Sequence, residues 1–506
     1  MRCACLRMTP DSLYSCTRSC RHPSIPPPMP ALLPLLLAGL LAGGTAAGER
    51  PKAGSPQQQK VYVPPLTAPT HLVVACLWAA PEQLRLDPNT TLARAEVAML
   101  GSLAGLLLRH RAPFGLYLET NSDARLVLQQ LKQRRGVSYK YAVNGSTAFS
   151  VAKQLASFAG NLSSFVLYDA MANQQSTNVA RMQASLHNAL MVDQSVAAAA
   201  LQAGFSQAVD VSNLDDSWAL TNLLPTWPLS KAVALEQSNS LASNDMDRVN
   251  DIATAFGAIA FGDVGSGSSP GPHRDAFLSA MDSQGLVFGW PSYNEVDSVP
   301  DVSAHDKLYV VCEMSANLAL LSSFSRNVSA ADPLKQRGRN SAATAGSLPR
   351  PDPTKHYVTF HFTDGDNIEW IDGEHPGFEF YSAGKFWDAS GRGSLPLAWG
   401  LPTLISDLSA PVMEMLYETA TVPLAGSGTG NRSTGADVFV AVSPVGYGCA
   451  SPPRLPRSLL LSCCDACMPT RVCLCVCVSV RRRRLQILTR HASSQRHPAR
   501  STDGST

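Results

Sequence analysis

Short apolar runs alternate with segments of helical periodicity along the body of the chain, and this alternation most constrains the fold. Residues 91–111 place apolar side chains at the helical spacing of about 3.6, and a second helical stretch lies near residues 178–190. The runs of strand length are 71–79, 114–119, 164–169, 258–263, 285–290 and 307–313. Strands of this length between helices predict an α/β fold with largely parallel sheets.

Charge is divided unevenly along the chain. The 506 residues carry a net charge of +2, but residues 449–506 carry +8 and residues 1–50 carry +3, so that the body between them carries −9. Binding of nucleic acid phosphates needs clustered Lys and Arg. The acidic body therefore argues against nucleic acid as a partner.

The first 48 residues have the layout of an N-terminal extension with a secretory signal peptide. Residues 31–42 form an apolar run that is short for a membrane span, and Arg18 and Arg21 precede it. Five glycosylation sequons agree with export: Asn89, Asn144, Asn161, Asn327 and Asn431. We predict a secreted glycoprotein whose mature chain begins near Gly48, with no stable membrane span after signal cleavage.

The last residues, 449–506, look foreign to the rest of the chain. They lack Phe, Tyr and Trp and hold seven of the 13 cysteines, without the two spaced pairs or added His of a zinc site. Alternating Cys and Val is also what a TGTGTG repeat encodes. We predict a disordered or mis-translated tail without packed contacts to the body, because it offers no patterned apolar face. The body keeps only Cys76 and Cys312, so a disulfide framework is not expected there.

The segment HYVTFHFTDGDNIEW, residues 356–370, raises the sharpest chemical question. Residues 357–363 alternate as a strand does, and Asp364 and Asp366 follow directly. Loops after strand ends in α/β folds face a crevice where sites are built. Carboxylates two residues apart on an extended backbone point to one side.

Several interpretations of these acids compete. An EF-hand fails, because the sixth position from Asp364 is Glu369 instead of Gly and the twelfth is His375 instead of Glu. A phosphatase of the haloacid dehalogenase type and a glycosyltransferase-like metal site both use two Asp, but no partner residues can be identified. A polar turn capped by Asp and Asn is the simplest alternative. We predict neither a metal nor a cofactor.

The surrounding residues favour a sugar site over a turn. Paired carboxylates perform acid/base work on a glycosidic bond, and ligand pockets often add aromatic walls. The segment supplies both kinds of side chain: Asp364, Asp366, Glu369, Trp370, Asp372, Glu374, Phe378 and Tyr381.

The order of several segments resembles the GxGYxYP-motif glycoside hydrolase-like family. Residues 93–119 resemble its first N-terminal domain, and residues 165–185 resemble the second, with its Tyr-Asp, Ser and Asn-Val-Ala pattern. Residues 285–295 with 313–324 resemble the third domain, and residues 357–370 with 395–420 resemble the start of the C-terminal domain.

The signature motif itself is altered in this chain. Gly446 and Tyr447 fit its central Gly-Tyr, but Pro444, Cys449 and Ala450 stand where Gly, Tyr and Pro belong. The departure begins immediately before the unusual tail, which a missed splice site after residue 448 would explain.

The resemblance implies a domain organisation. We expect several small α/β N-terminal domains followed by an incomplete β/α barrel-like C-terminal domain. The predicted boundaries are 1–48 for the extension and signal peptide, 69–150, 151–227 and 228–338 for the three N-terminal domains, 339–355 for a linker, 356–448 for the truncated C-terminal domain, and 449–506 for the tail.

The resemblance also implies a function. It predicts a glycoside hydrolase-like protein that acts on a glycan or polysaccharide by carboxylate chemistry and is impaired in this truncated form. Asp364 and Asp366 would be the catalytic or substrate-orienting acids. The expected substrate-binding residues are Asn367, Glu369, Trp370 and Tyr447. The alternative from another class is a noncatalytic secreted or cell-surface glycan-binding protein.

Overall fold

The structure is a computed structural model of the whole chain, which divides into two compact units, residues 6–61 and residues 1–5 with 62–506. The residues that it describes are 4–9, 12–14, 65–77, 91–142, 147–237, 248–262, 273–290, 295–325, 354, 359–362, 367–373, 379–382, 384–390, 392, 397–420, 437–443 and 474–477. Strands β1 (Ala4–Thr9) and β2 (Ser12–Tyr14) form an antiparallel hairpin. Its residues 6–9 and 12–14 belong to the smaller unit. The remaining elements belong to the larger unit.

The first N-terminal sheet is parallel and has the strand order β4-β3-β5. Its strands are β3 (His71–Cys76), β4 (Phe114–Glu119) and β5 (Ser138–Tyr141). The connecting helices are α1 (Thr91–Arg109) and α2 (Ser122–Arg135), and α3 (Ala148–Leu155) follows β5. The sequence sets the ends of α2, because the Asn121 side chain accepts from Ala124 N at its start and Gly136 takes a left-handed φ of 64° at its end.

The second N-terminal sheet repeats this topology. Its strands β6 (Ser164–Tyr168), β7 (Leu190–Asp193) and β8 (Ser206–Asp210) are parallel in the order β7-β6-β8. The associated helices are α4 (Ser176–His187), α5 (Ala197–Gln202) and α6 (Asp216–Asn222).

The third N-terminal sheet extends the same order by one strand, to β10-β9-β11-β12. Its strands are β9 (Val233–Gln237), β10 (Ile259–Phe261), β11 (Leu286–Trp290) and β12 (Leu308–Val310). Its helices are α7 (Asn250–Phe256), α8 (Arg274–Ala280), α9 (Glu295–Ala304) and α10 (Leu318–Ser323). In all three sheets the first strand lies between the second and the third, as in doubly wound folds.

Helix α1 joins the N-terminal domains into one body. Leu100, Leu103 and Leu107 are fully buried, and the helix packs against α7 of the third domain. The approach is close because the facing residue is Gly105, where an added Cβ would lie 2.1 Å from Thr254 Oγ1. A helix that is apolar on nearly all sides is stable only in such a buried position.

The C-terminal sheet has a different, sequential order. Strands β13 (Thr359–Phe362), β14 (Leu397–Pro402) and β15 (Asp437–Ser443) are parallel in the order β15-β14-β13. The helices are α11 (Ile368–Ile371), α12 (Ile405–Leu408) and α13 (Ala410–Thr419). Sequential neighbours are what a β/α barrel requires. The fold is therefore mixed α/β with parallel sheets, and the described strands of this open sheet are compatible with the start of a barrel.

An aromatic core covers one face of the C-terminal sheet. Phe362, Trp399 and Phe439, from the three parallel strands, contact aromatic rings of the connecting segments at centroid distances of 4.8–6.2 Å. Trp399 Nε1 donates to Asp437 Oδ1 at 2.9 Å, which ties β14 to the start of β15. Trp399 contacts the rings of Phe362, Phe380 and Trp387, so aromatic side chains pack against this face beside the described strands.

One short segment of the tail pairs with the body through its backbone. Strand β16 (Leu474–Cys477) pairs antiparallel with β13, from Thr359 opposite Cys477 to Phe362 opposite Leu474. Valine-rich alternation favours strand, and an unpaired sheet edge offers free N–H and C=O groups. The contact is thus one of backbone pairing, which needs no aromatic core.

Short 3₁₀ helices complete the fold at Ala156–Phe158, Gln194–Val196, Leu224–Thr226 and Phe386–Asp388. Among the helices that the structure describes, none combines the length and the apolar character needed to cross a membrane.

Candidate functional site

The predicted site residues follow the carboxyl ends of two strands of the C-terminal sheet. β13 ends at Phe362, and Asp364 and Asp366 come next in the chain. β15 ends at Ser443, shortly before Tyr447. Asp364, Asp366 and Tyr447 themselves lie outside the described residues. Because β13, β14 and β15 are parallel, their carboxyl ends share one edge of the sheet, where α/β folds build their sites.

Asn367 and Trp370 are the predicted binding residues that retain access to solvent. Asn367 occupies the N-cap position of α11 without using its side chain as a cap, and both side chains are half-buried. Trp370 N donates to Asn367 O at 3.3 Å, so one short turn holds both residues. An amide and an indole next to an acidic loop can donate hydrogen bonds to a sugar and cover one of its faces.

Glu369 differs from these two residues in its burial, and its role in substrate binding stays a prediction. Its side chain is buried, with 2% exposure, and its Oε2 accepts from Met314 N at 2.9 Å. Asp372 is also buried, and its Oδ2 accepts from Ser315 Oγ at 2.7 Å. The hydrogen bonds of both acids connect α11 to the segment after β12. We call this contact, between residues 311–315 and 367–372, the α11 seam.

A second contact fastens the same region to the first N-terminal domain. Asp123, in the first turn of α2, accepts from Tyr381 N at 2.7 Å and from Ser382 Oγ at 2.9 Å. Gly373 takes a left-handed φ of 80°, and a Cβ there would lie 3.0 Å from Asp123 Cβ. Tyr381, proposed from the sequence as part of an aromatic mixture around a sugar, is buried here, with 6% exposure. The residues around the acidic loop are therefore held by two N-terminal domains.

Burial dominates the electrostatics of this region. Burial, followed by the charge of Glu313, raises the pKa of Glu369 well above its ordinary value of 4.5. Burial likewise raises the pKa of Asp123 and the pKa of the Cys312 thiol. Burial thus shifts each of these groups toward its neutral form.

His361 is a residue that the sequence analysis did not single out. It lies on β13 between Phe360 and Phe362, and since Phe362 packs into the aromatic core, alternation directs His361 to the opposite face. Its Nε2 is buried without a hydrogen-bond partner among the described residues, and burial lowers its pKa. A histidine in an alternating strand directly before an acidic loop is the signal that could have identified it.

Asn178 of the second-domain pattern and the nearby Arg181 belong to one hydrogen-bonded network. Asn178 Nδ2 donates to Asp216 Oδ1 at 3.0 Å, and Arg181 Nε donates to Asn250 Oδ1 of the third domain at 2.8 Å. Arg181 is fully buried, and burial lowers its pKa to about 9. Through Arg181 and Asn250 this network joins the second and third domains.

The N-terminal domains hold a polar cluster around Glu119 and a separate groove. Glu119 ends β4 between Arg125 and Tyr141, which donate to its two carboxylate oxygens at 2.6 Å each, so the cluster is internally satisfied. A groove of about 560 Å³ on the first two domains is lined in part by Glu96 and Lys153, and it is separate from the strand ends of the C-terminal sheet. Within the described ranges, no group of three or more His, Cys, Asp and Glu side chains could hold a metal ion.

The comparisons with known proteins agree with the predicted resemblance. Residues 162–226 match the GxGYxYP_N second domain, and residues 354–467 match a model described as "GxGYxYP putative glycoside hydrolase C-terminal domain". The second match runs 19 residues past residue 448, into the segment predicted to be a mis-translated tail. A search of curated proteins gave no match.

A solved structure shares the fold. It is the crystal structure of a protein titled "a putative hydrolase" from Bacteroides thetaiotaomicron VPI-5482, with a TM-score of 0.56 and 19% identity over 80% of this chain and 69% of that one. At this identity the similarity is one of fold alone. The two matched regions supply the stronger evidence: residues 162–226 and residues 354–467 are similar to two domains described for the GxGYxYP family.

Proposed function

We propose that the C-terminal domain binds a glycan at the carboxyl edge of β13, β14 and β15 and acts on its glycosidic bonds. The observation that carries this proposal is the sequential parallel order of the three strands. It brings the ends of β13 and β15 to one edge, and the chain continues from these ends into the acidic loop and the signature motif. The family description of the same region as glycoside hydrolase-like supports the substrate class.

The residues divide into two roles in this proposal. Asp364 and Asp366 are the acid/base or substrate-orienting groups, because hydrolysis needs one carboxyl to give a proton and one carboxylate to act on the other side of the bond. Asn367 donates to a sugar hydroxyl, and Trp370 forms a wall against the ring. Tyr447 of the altered signature contributes from the end of β15.

Carboxylate spacing decides the stereochemistry of such a reaction. Retaining enzymes hold the two groups about 5–5.5 Å apart, and inverting enzymes hold them about 6.5–9.5 Å apart. Adjacent acids such as Asp364 and Asp366 more often orient the substrate while a more distant acid supplies the proton. A weak or absent hydrolytic activity with intact binding is therefore the expected behaviour if no such acid joins them.

The burial of Glu369 and Asp372 favours one alternative, a noncatalytic secreted or cell-surface glycan-binding protein. Both acids accept hydrogen bonds in the α11 seam. Fewer exposed carboxylates therefore remain beside the strand ends than the sequence predicted. Binding needs only hydrogen bonds and an aromatic wall, which Asn367 and Trp370 can provide.

A glycan panel tests both functions with the same proteins. Binding is measured by calorimetry and hydrolysis by release of reducing ends, for wild type, Asp364→Asn and Asp366→Asn, with Asp388→Asn as the control because Asp388 is an exposed acid of the same domain. The enzyme proposal expects hydrolysis that falls at least a hundredfold in one or both loop variants. Binding without any hydrolysis supports the alternative. Unchanged activity in both loop variants, with folding intact, would make the acidic loop a structural turn.

A further inference from the structure

Residues 311–319 follow β12 and reach into the start of α10, and we call them the strap. Its first part holds α11 of the C-terminal domain. Ile368 N donates to Val311 O at 3.1 Å. Met314 N donates to the buried carboxyl of Glu369 at 2.9 Å. The strap therefore binds the first residues of α11 through a backbone group and through a side chain.

Further along, the amide of Asn317 fixes the strap to the first N-terminal domain. Its Oδ1 accepts from Leu118 N at 2.8 Å, and its Nδ2 donates to Leu118 O at 2.8 Å. Both residues are buried, with at most 1% of either exposed. Among the described strands β4 lies at the edge of its sheet, where backbone groups face no further strand. One side chain thus satisfies both backbone groups of Leu118 in place of a neighbouring strand.

The strap ends in a third contact, with α7. Ala319 N donates to Asp251 Oδ2 at 2.9 Å, and the same carboxylate accepts from Ile252 N through Oδ1 at 2.8 Å. Ala319 and Asp251 are fully buried. Asn317 therefore lies between the contacts of the strap with α11 and its contact with α7.

We propose that Asn317 is a positioning residue that holds α11, and with it the half-buried indole of Trp370, in place from the edge of the first N-terminal sheet. It acts through the strap, because its amide binds Leu118 and not α11 itself. The strap is short, so that a shift at its middle moves the atoms bonded to α11. The positioning of Trp370 for a glycan rests on the proposed function, whereas the coupling of α11 to β4 does not.

Truncation of Asn317 removes the middle contact of the strap. In Asn317→Ala, Leu118 N–H and C=O lose two buried hydrogen bonds at once. Unsatisfied buried groups favour a rearranged strap, in which water or other atoms replace the lost amide. We expect the equilibrium between the ordered and the rearranged strap to shift by about tenfold or more.

Amide hydrogen exchange of the full chain measures this coupling without any glycan. The readout is the protection of a peptide that contains Ile368, taken relative to a peptide of β6 in the second domain. In Asn317→Ala this relative protection should fall by about tenfold or more. Unchanged relative protection of Ile368 in the folded variant overturns the proposal.

Asn173→Ala is the matched control. Asn173 Nδ2 also donates to backbone groups, Ser212 O at 3.1 Å and Leu214 O at 2.8 Å, but it does so within the second domain. This variant should not lower the protection of Ile368, and an effect equal to that of Asn317→Ala overturns the specific role of Asn317. Should Asn317→Ala not fold, Asn317→Asp repeats the test, because it keeps the volume and the acceptor and removes the Nδ2 donor.

Trp370 fluorescence tests the positioning itself. The difference in acrylamide quenching between a protein and its Trp370→Phe counterpart isolates this one indole. Quenching of Trp370 should increase in Asn317→Ala and stay at the wild-type level in Asn173→Ala. Equal quenching of Trp370 in Asn317→Ala and wild type overturns the positioning role.

Calorimetry with cello-, xylo- and malto-oligosaccharides separates this inference from the proposed function. For a sugar that wild type binds, Asn317→Ala should weaken binding in the same direction as Trp370→Ala does. Unchanged affinity in Asn317→Ala, beside a loss in Trp370→Ala, overturns positioning for the site. Failure of wild type to bind any of these sugars counts against the glycan proposal, while exchange and quenching still decide the role of Asn317.

Discussion

Replacing Gly105 with alanine should destabilise the N-terminal body, whereas the same change at Gly101, one turn earlier on α1, should not. At Gly105 the new Cβ would lie 2.1 Å from Thr254 Oγ1 and 2.3 Å from Asp251 O, both in α7. At Gly101 the nearest atom is Asn250 Cβ at 3.3 Å. The two glycines therefore share a helix but differ in the space beside them.

The loss of unfolding free energy for Gly105→Ala depends on how far α1 and α7 must separate. Ordinary contact begins at 3.4 Å, so α1 and α7 must separate where the distance is now 2.1 Å. Overpacking of this kind costs about 1–3 kcal/mol, and separation also weakens the hydrogen bond from Thr254 Oγ1 to Ser102 O, worth about 1 kcal/mol. Alanine recovers about 0.5–1 kcal/mol of helix propensity. We expect a net loss of about 1–3.5 kcal/mol for Gly105→Ala and a change within about 1 kcal/mol for Gly101→Ala.

Urea unfolding monitored by circular dichroism, with both variants beside wild type, measures the free energy of unfolding. The slope of the transition with denaturant should be unchanged, so that the midpoints report stability. Equal stability of the two variants would refute the close packing of α1 on α7 as the structure has it.

Three further outcomes are expected. Arg274→Met should destabilise by about 3–5 kcal/mol in urea unfolding, because it leaves Glu236 as an unpaired buried charge, and the double change with Glu236→Leu should recover much of this loss. Asp437→Ala should cost about 2–3 kcal/mol by the same assay, since the buried indole N–H of Trp399 and a guanidinium lose their acceptor. The exposed Asn161 should carry an N-glycan on protein expressed through a secretory pathway, so that glycosidase treatment lowers the mass and Asn161→Gln removes that site; an unglycosylated, cytosolic product would contradict export.

The sequence was most informative where strands are buried on both faces. The apolar run 114–119 coincides with β4, and helix α1 begins and ends within two residues of its predicted range. Two edge strands were missed because they are polar: β5 reads SYKY and β8 reads SQAVD, and many of their side chains are exposed. Neither run is apolar enough to be told from a loop.

The strand before the acids was predictable, whereas the burial of individual residues after them was not. Acids that follow an alternating strand indicated the edge at which β13 ends. The sequence could not separate Glu369 from Trp370, because adjacent residues on a helical turn point in different directions. Glu369 is buried where it accepts a hydrogen bond from Met314 N, which lies 55 positions upstream. No local sequence pattern reveals that contact.

The most direct test of a glycan site at this edge is the affinity of the full chain for a glycan that it binds, measured by calorimetry for wild type, Trp370→Ala and Trp218→Ala. Trp218 is the matched control, because it is also half-buried but lies on α6 of the second domain. The account predicts a loss of about tenfold or more for Trp370→Ala, since an aromatic anchor contributes over 1 kcal/mol, and no loss for Trp218→Ala. Equal affinity of Trp370→Ala and wild type, with both proteins folded, would contradict it.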